Sequence, residues 1–430
     1  MAVSVMSWAD LENISKTHSK PRDLVNGPAS SQARLRLFGQ PEESVRVTLY
    51  RDHHAWCPYC QKIWLFLEEK RVPYRIEKVT MFCYGEKEAW YKKICPSGML
   101  PALQLDGKLI TESDFIIDAL EKQFGPLHAP FSDPKVTKLR RLERNLFSAW
   151  CRWLCYPSRD AKDEEQGKQD FIQEAKRMDA ALQETSGPFF LDNFSVVDCV
   201  FVPYVERMNA SLFYYKGFVL RDKKAFPNIA AWFEGLESRE TYRGTQSDFH
   251  THCHDLPPQV VFGFFSNYHC VFFPYLLPAP LYLIDSALIS HSPATSPPQM
   301  GGCYESGDSL QSECKQRVDS CVDFTIPESG VQEEGDSRYI ALQKFLKHRA
   351  SIMTVNPMSS DKNNLDLAMR TSLTWMMHDD QDAKADLKIP SGSEVGLRYI
   401  RDRINVPRDM PLWSARSAAA PRPTPSSTST

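Results

Sequence analysis

The chain has 430 residues, too many for one ordinary domain of roughly 100–200 residues. Its 51 basic and 54 acidic residues leave a net charge of −3, which excludes the strongly basic surface of a nucleic-acid binder or of a protein held on membranes by charge. Hydrophobic residues at 42% suffice for a packed core, and 12 cysteines are too dilute for a disulfide scaffold, so a reducing compartment is expected.

Residues 1–44 read as a flexible segment. Arg22, Arg34, Arg36 and several serines give it something of the composition of an organelle transit peptide, against which stand Asp10, Glu12 and Asp23. No basic start followed by an apolar run marks a secretory signal. Val45, Val47 and Leu49 then alternate with Arg46, Thr48 and Tyr50, the period of a strand. The tetrad Cys57-Pro58-Tyr59-Cys60 follows, and Ile63, Trp64, Phe66 and Leu67 recur at helical spacing to Lys70. Pro58 suits the first turn of that helix, where its missing N–H costs nothing. A second strand fits Tyr74 to Val79 and a helix Glu86 to Ile94. Pro101 to Leu105 and Lys108 to Thr111 read as a hairpin closed by Asp106-Gly107, and a helix opens at Glu112-Ser113 and runs through Phe124.

Residues 133–247 read as helical throughout. Leu139, Leu142, Leu146, Phe147, Trp150 and Trp153 form one apolar stripe, and Phe171 to Glu184 a second helix. Ser195 and Asp198 frame the start of an apolar helix as an N-cap with an acid at its third position. Another helix fits Asn228 to Glu237. The chain therefore predicts an α/β domain over 45–127 followed by an all-α domain over 133–247.

A Cys-x-x-Cys between a strand and a helix has three readings: a redox centre, half of a zinc site, or two core cysteines. Zinc calls for a second pair, and none is present; Cys83 and Cys95 have the wrong spacing. The redox reading is favoured, with no metal expected. Cys57 stands at a helix start, where unpaired N–H groups and the helix dipole favour the attacking thiolate. Cys60, one turn inward, is expected to be more buried and placed to resolve a mixed disulfide. His53 and His54 either bias the charge of the site or are surface residues before a turn.

With these residues in place, Val45 to Leu127 resembles the thioredoxin-fold domain of the glutathione transferase superfamily, and the helical block resembles that superfamily's second domain. Together they cover about half the chain. Cysteine in place of the usual serine or tyrosine resembles the cysteine-type classes: omega, lambda, dehydroascorbate reductase and the plant iota class. The stretch EKVTMFCYGEKEAWYKKICPSGMLPAL and the long C-terminal extension look most like the iota class, which implies a plant or other photosynthetic lineage. The resemblance implies a glutathione site. Leu100 would pair its backbone with glutathione before a cis-Pro101. Glu112 and Ser113 would hold the γ-glutamyl end at a helix start, and Lys87 the glycyl carboxylate. It implies glutathione as cosubstrate and a mixed disulfide on Cys57, with weak conjugating activity, in deglutathionylation or dehydroascorbate-type reduction. A dithiol route through Cys60 stays open, as do the oxidised or electrophilic substrate, the oligomeric state, and a cytoplasmic or chloroplastic location. The rival reading is a non-catalytic carrier or scaffold of the same fold that acts through its extension. Trp150, Trp153, Tyr156, Tyr204, Met208 and Tyr215 read as core first and as an acceptor-pocket wall second.

Residues 248–336 read as an irregular linker. Within it, Val260 to Ile284 lacks Asp, Glu, Lys and Arg, yet Pro274, Pro278 and Pro280 argue against a membrane span. Pro-Pro-Gln occurs at both 257–259 and 297–299, so 260–299 reads as a retained intron of in-frame length, with a membrane segment and a genuine loop as alternatives. His250, His252, Cys253 and His254 are soft ligands in what looks like a loose segment, a poor metal site. Residues 337–415 carry helical patterns at Ser337–Thr354, Asn363–Met377 and Glu394–Asn405, and 416–430 reads as a disordered Ser/Thr/Pro tail.

Overall fold

The computed structural model describes residues 4–18, 22–156, 158–249, 251–253, 255–256, 337–356, 361–379, 386–401 and 403–419. The proposed intron, 260–299, lies outside the described residues, as do His250, His254 and the tail from 420.

A five-stranded sheet has the order β1-β3-β2-β4-β5, made of β1 (Leu35–Arg36), β2 (Val47–Asp52), β3 (Tyr74–Val79), β4 (Ala102–Leu105) and β5 (Lys108–Thr111). β2 and β3 run parallel; every other pair is antiparallel. The first strand begins at Val47 rather than Val45, because Val47 is where pairing to both Tyr74 and Leu105 starts. Asp106 and Gly107 both have positive φ (50° and 81°), the geometry of a two-residue hairpin turn. Helices α2 (Pro58–Lys70) and α4 (Ser113–Phe124) pack on each other, and α3 (Ala89–Ile94) is shorter than the pattern predicts. The α/β-then-all-α order predicted from the sequence holds.

The helical domain contains α5 (Pro134–Trp150), α6 (Ala161–Gln183), α7 (Val196–Lys216), α8 (Pro227–Glu237) and α9 (Glu240–Thr245). α6 starts ten residues before its apolar pattern does, because the Asp160 side chain accepts from the Asp163 N–H at 2.8 Å and caps a polar first half. α7 is buried along nearly all its length. Its capping box is present: Ser195 accepts from Val197 N–H, and Asp198 accepts from Ser195 N–H and from the Trp232 indole. Trp150, Trp153, Tyr204 and Met208 are core residues, fully or almost fully buried.

Three expectations need correction. Residues 1–44 are not simply flexible. They hold α1 (Trp8–His18) and β1, whose Arg36 is buried and bidentate to Glu68 at 2.9 and 3.0 Å. The start of the 248–336 linker is ordered: residues 251–253 and 255–256 are helical, and buried Cys253 packs with Ala210 and Tyr214 of α7. In the extension, α10 (Ser337–Val355), α11 (Lys362–Met377) and α12 (Glu394–Arg401) are followed by α13 (Leu412–Ala419), a helix that overruns the expected disorder from 416. α12 stops four residues short of Asn405, ahead of a cis Val406–Pro407 bond.

Helices α10, α11 and α13 share a core with α1, in which Leu11 clusters with Ala341, Leu342, Leu373, Met376 and Met410, while Leu397 of α12 packs with Leu365, Ala368 and Met369 of α11. The Trp8 indole donates to Asp366 at 2.7 Å, and Arg349 lies 4.7 Å from the Trp8 ring centre. A strap over 405–409 fastens the module to the rest of the chain. Val406 N–H donates to Thr251 Oγ1 at 3.1 Å, Asn405 to Asp255 at 2.9 Å, and Gln32 to the Asp409 carbonyl at 3.0 Å. Ser31 and Ser247 hydroxyls donate to the carbonyls of Pro407 and Val406. Among the described residues no helix is long and apolar enough to cross a membrane.

Candidate active site

The central strand β2 delivers the site. At its end Asp52 is fully buried, and its Oδ2 accepts from the Trp56 N–H at 2.7 Å, which curls 53–56 into the start of α2. Cys57 is the N-cap of α2, with Pro58 at the first helical position, so its sulfur sits at the positive end of the helix. Cys57 is 4% exposed and Cys60 0%. The two thiols are hydrogen-bonded, and burial followed by that bond pushes the Cys60 thiol up.

The Asp52 carboxylate and both sulfurs lie within 4.8 Å of one another. Asp52 Oδ1 is buried with no hydrogen-bond partner. Three donors could seat a soft divalent ion, but a closed zinc site takes four and needs Cys60 as a thiolate, which burial opposes. The same arrangement suits proton transfer between Cys60 and Asp52.

Two cations face Cys57. Lys87, at the head of the loop before α3, donates to the Thr80 carbonyl at 3.1 Å. Burial lowers its pKa, and the largest opposing influence is Cys57. Gly98, at φ +67°, lets the chain pass over the Lys87 stem; a Cβ there would stand 3.2 Å from Lys87 Cδ. Arg207, on α7, is buried and stacks 4.5 Å from the Trp56 ring centre. It donates to the Trp56 and Pro203 carbonyls and, at 3.2 Å, to Gln61. Burial lowers its pKa, against the pull of Glu206 and Cys57. Arg207 thus holds the backbone just before Cys57 from the other domain.

The Leu100–Pro101 peptide bond is cis, and Leu100 joins Cys57 and Cys60 in one apolar cluster. Glu112 is the N-cap of α4 at φ 64°; Ser113 is the first helical residue and is buried. Neither side chain makes a hydrogen bond or ion pair among the described residues. Among the described residues no side-chain hydrogen bond joins Glu112 or Ser113 to the thiols. The link is Asp114, which bridges Lys62 of α2 at 2.6 Å and Arg140 of α5 at 2.5 Å. Burial works to raise the Asp114 carboxyl, but these two cations hold it below its ordinary value.

His54 does not charge the site. It is buried against Tyr84, ring centres 4.0 Å apart, and burial, then Arg408 and His53, lower its pKa to about 3. His53 is exposed. His252, expected in a loose segment, is buried beside Glu206 at 3.5 Å. Tyr59, on the first turn of α2, meets Tyr204 edge to face, and burial pushes its hydroxyl up to about 12.

Sequence reasoning missed Asp52 and Arg207. Asp52 carried one signal, a carboxylate continuing an apolar strand into the thiol tetrad. Glu206-Arg207 carried another, the sole charged pair between Asp198 and Lys216 on an apolar helix.

Residues 56–123 match the family model for the glutathione S-transferase N-terminal domain, and residues 160–235 that for its C-terminal domain. Cys57, Cys60, Lys87, Leu100, Pro101, Glu112 and Ser113 fall in the first match and Arg207 in the second, Asp52 stands just ahead of the first, and both matches end before the extension. Two Arabidopsis thaliana relatives are similar. Glutathione S-transferase DHAR3, chloroplastic, is 29% identical over 195 residues, 45% of this chain and 69% of the relative. Glutathione S-transferase DHAR2 is 27% identical over 192 residues, 44% and 84% of the two lengths. A solved structure of Chlamydomonas reinhardtii dehydroascorbate reductase aligns at 19% identity and a TM-score of 0.39, covering 52% of this chain and 99% of its own.

Proposed function

Because the chain carries both glutathione S-transferase domains, we propose that it is a glutathione-dependent thiol transferase or reductase with Cys57 as nucleophile. The observation that carries this reading is the hydrogen-bonded Cys57–Cys60 pair at the start of α2, beside the buried Asp52 carboxylate. Lys87, Leu100, Pro101, Glu112 and Ser113 are the residues proposed to hold glutathione: a cation for the glycyl carboxylate, backbone for the cysteinyl unit, and an acid and hydroxyl at a helix N-terminus for the γ-glutamyl end.

The Cys57 thiolate attacks the glutathionyl sulfur of a mixed disulfide. A Cys57–glutathione disulfide forms, and the substrate leaves as a thiolate that takes a proton from water. In the monothiol route a glutathione thiolate attacks the glutathionyl sulfur, giving glutathione disulfide and free Cys57. In the dithiol route Asp52 takes the Cys60 proton and Cys60 attacks Cys57. Glutathione leaves as its thiolate, and two further glutathione molecules reduce the Cys57–Cys60 disulfide. Conjugation of electrophiles is weak in either case. The eight cysteines recorded among the described residues are free thiols, in keeping with a cytoplasmic or chloroplastic location.

One observation favours a second reading, a non-catalytic carrier: Cys57 is only 4% exposed, and reactive thiols are usually accessible. Intact-mass analysis after exposure to glutathione disulfide separates the two. The enzyme reading expects a glutathionyl adduct on Cys57 that accumulates in Cys60→Ser and is missing from Cys57→Ser. No adduct in Cys60→Ser, or one that persists in Cys57→Ser, leaves the carrier reading.

A further inference from the structure

The turn after α9 carries a buried histidine to the back of the thiol site. His252 lies beyond both transferase matches. Its Nε2 stands 3.5 Å from the buried Glu206 carboxylate of α7. Burial disfavours a charge on the ring, and a neutral imidazole meets a carboxylate with its N–H, because a bare lone pair would be repelled. The backbone that carries it is fixed. Thr251 and His252 N–H groups donate to the Asp248 side chain and carbonyl at 2.7 and 3.0 Å, and the Tyr215 hydroxyl of α7 donates to the Cys253 carbonyl at 2.8 Å.

From Glu206 a chain of polar contacts runs to the nucleophile. Tyr242 of α9 bonds this carboxylate, and the Gln61 amide donates to it at 3.0 Å. The Gln61 amide oxygen accepts from Arg207 at 3.2 Å. That amide has one orientation open to it, since a carboxylate only accepts and a guanidinium only donates. Arg207 holds the Trp56 carbonyl, and Gln61 N–H donates to the Cys57 carbonyl at 3.0 Å. The backbone is therefore gripped on both sides of Cys57 by residues that Glu206 orients. Apolar side chains would fill this buried space without the cost of desolvating an acid, a guanidinium and an imidazole.

We propose that His252 is a positioning residue for Cys57, acting through Glu206, Gln61 and Arg207. Its N–H fixes the Glu206 carboxylate, which fixes the Gln61 amide and with it the turn that presents the thiol at the start of α2. The inference rests on Cys57 as the nucleophile, but its test reads the thiol itself. A chain without thiol transfer would refute the enzyme reading and still leave the alkylation rates below to decide the role of His252.

Alkylation of the full chain with iodoacetamide at pH 7.5, read at Cys57 by peptide mass, tests this. His252→Phe keeps a buried ring and removes the donor. It should slow Cys57 alkylation about fivefold, because the helix start that favours the thiolate is no longer held. His252→Gln restores an N–H donor and should react within about twofold of wild type. A residue that only fills space would give the opposite order. Gln61→Met cuts the chain at its middle and should slow alkylation as much as His252→Phe. The double variant should be no slower than Gln61→Met alone, since both changes break one chain. Wild-type alkylation in His252→Phe or in Gln61→Met, failure of His252→Gln to restore the rate, or additive slowing in the double variant would each overturn the proposal. Gln61→Met decides the matter even if His252→Phe fails to fold.

Discussion

Among the described residues, two of the hydrophobic cores are built by opposite means. Beneath Cys57 the core is assembled within one continuous stretch, residues 33–256, where α2 packs on α4 and also on the more distant α7. The second core joins Leu11 to Leu342, Leu373 and Met410, partners more than 300 positions away. The first holds the proposed thiol pair at a helix start, the second binds the extension to the N-terminal helix. Local sequence therefore states where the chemistry is, whereas the extension acquires shape only when the two ends of the chain meet.

The sharpest test of that division is Cys57→Ser. It should lower thiol-transfer rates about 1,000-fold, roughly 4 kcal/mol in barrier, with an unchanged melting profile. A residual rate within tenfold of wild type would move the chemistry elsewhere. Next comes the clamp between the α/β and the all-α domain. Arg207→Met leaves the Trp56 carbonyl and Glu206 buried without their cation, at a cost of about 3 kcal/mol. Stability in urea and the rate of Cys57 alkylation should change together, because the same guanidinium fixes the turn before the thiol. Unaltered alkylation would reduce Arg207 to a packing residue.

Leu11→Ala addresses the second core. Removing a fully buried leucine should cost about 2–3 kcal/mol, seen as earlier proteolysis of the extension with thiol transfer within twofold of wild type. A comparable loss of thiol transfer would mean that the two cores fold as one unit, and the comparison would fail.

Legibility follows the same line. The β2–α2 unit, the hairpin and the helix after Glu112 were readable because alternation, turn chemistry and helical spacing act within a few residues. Cys57 and Cys60 were readable as a motif. Asp52 and Arg207 were not, since a carboxylate ending a strand and an arginine on a helix become functional only when burial removes their water. The polar first half of α6 escaped for want of apolar periodicity; its cap and its packing on α5 make it a helix. α1 escaped because its partners lie at the far end of the chain.

The smallest expected effect lies on the seam where the two regions touch. His54 precedes Cys57 by three positions, stacks on Tyr84, and has Arg408 of the strap, His53 and Asp409 as its charged neighbours. Its folded pKa of about 3 lies below the unfolded value of 6.5. The folded chain thus refuses a proton that the unfolded chain accepts. The stability this confers is fully present above pH 6.5 and is lost as pH falls toward 3. Between pH 6.5 and 5 the loss should be about 1–2 kcal/mol. Because a protonated His54 would stand against Arg408, the strap should be where it is felt. Limited proteolysis at pH 7.5 and 5.0 should show faster cleavage around the strap at the lower pH. His54→Phe, which keeps a ring on Tyr84 and removes the titration, should flatten that dependence. An equal pH response in the variant would assign it to another group and leave His54 a neutral spacer between the thiol site and the extension.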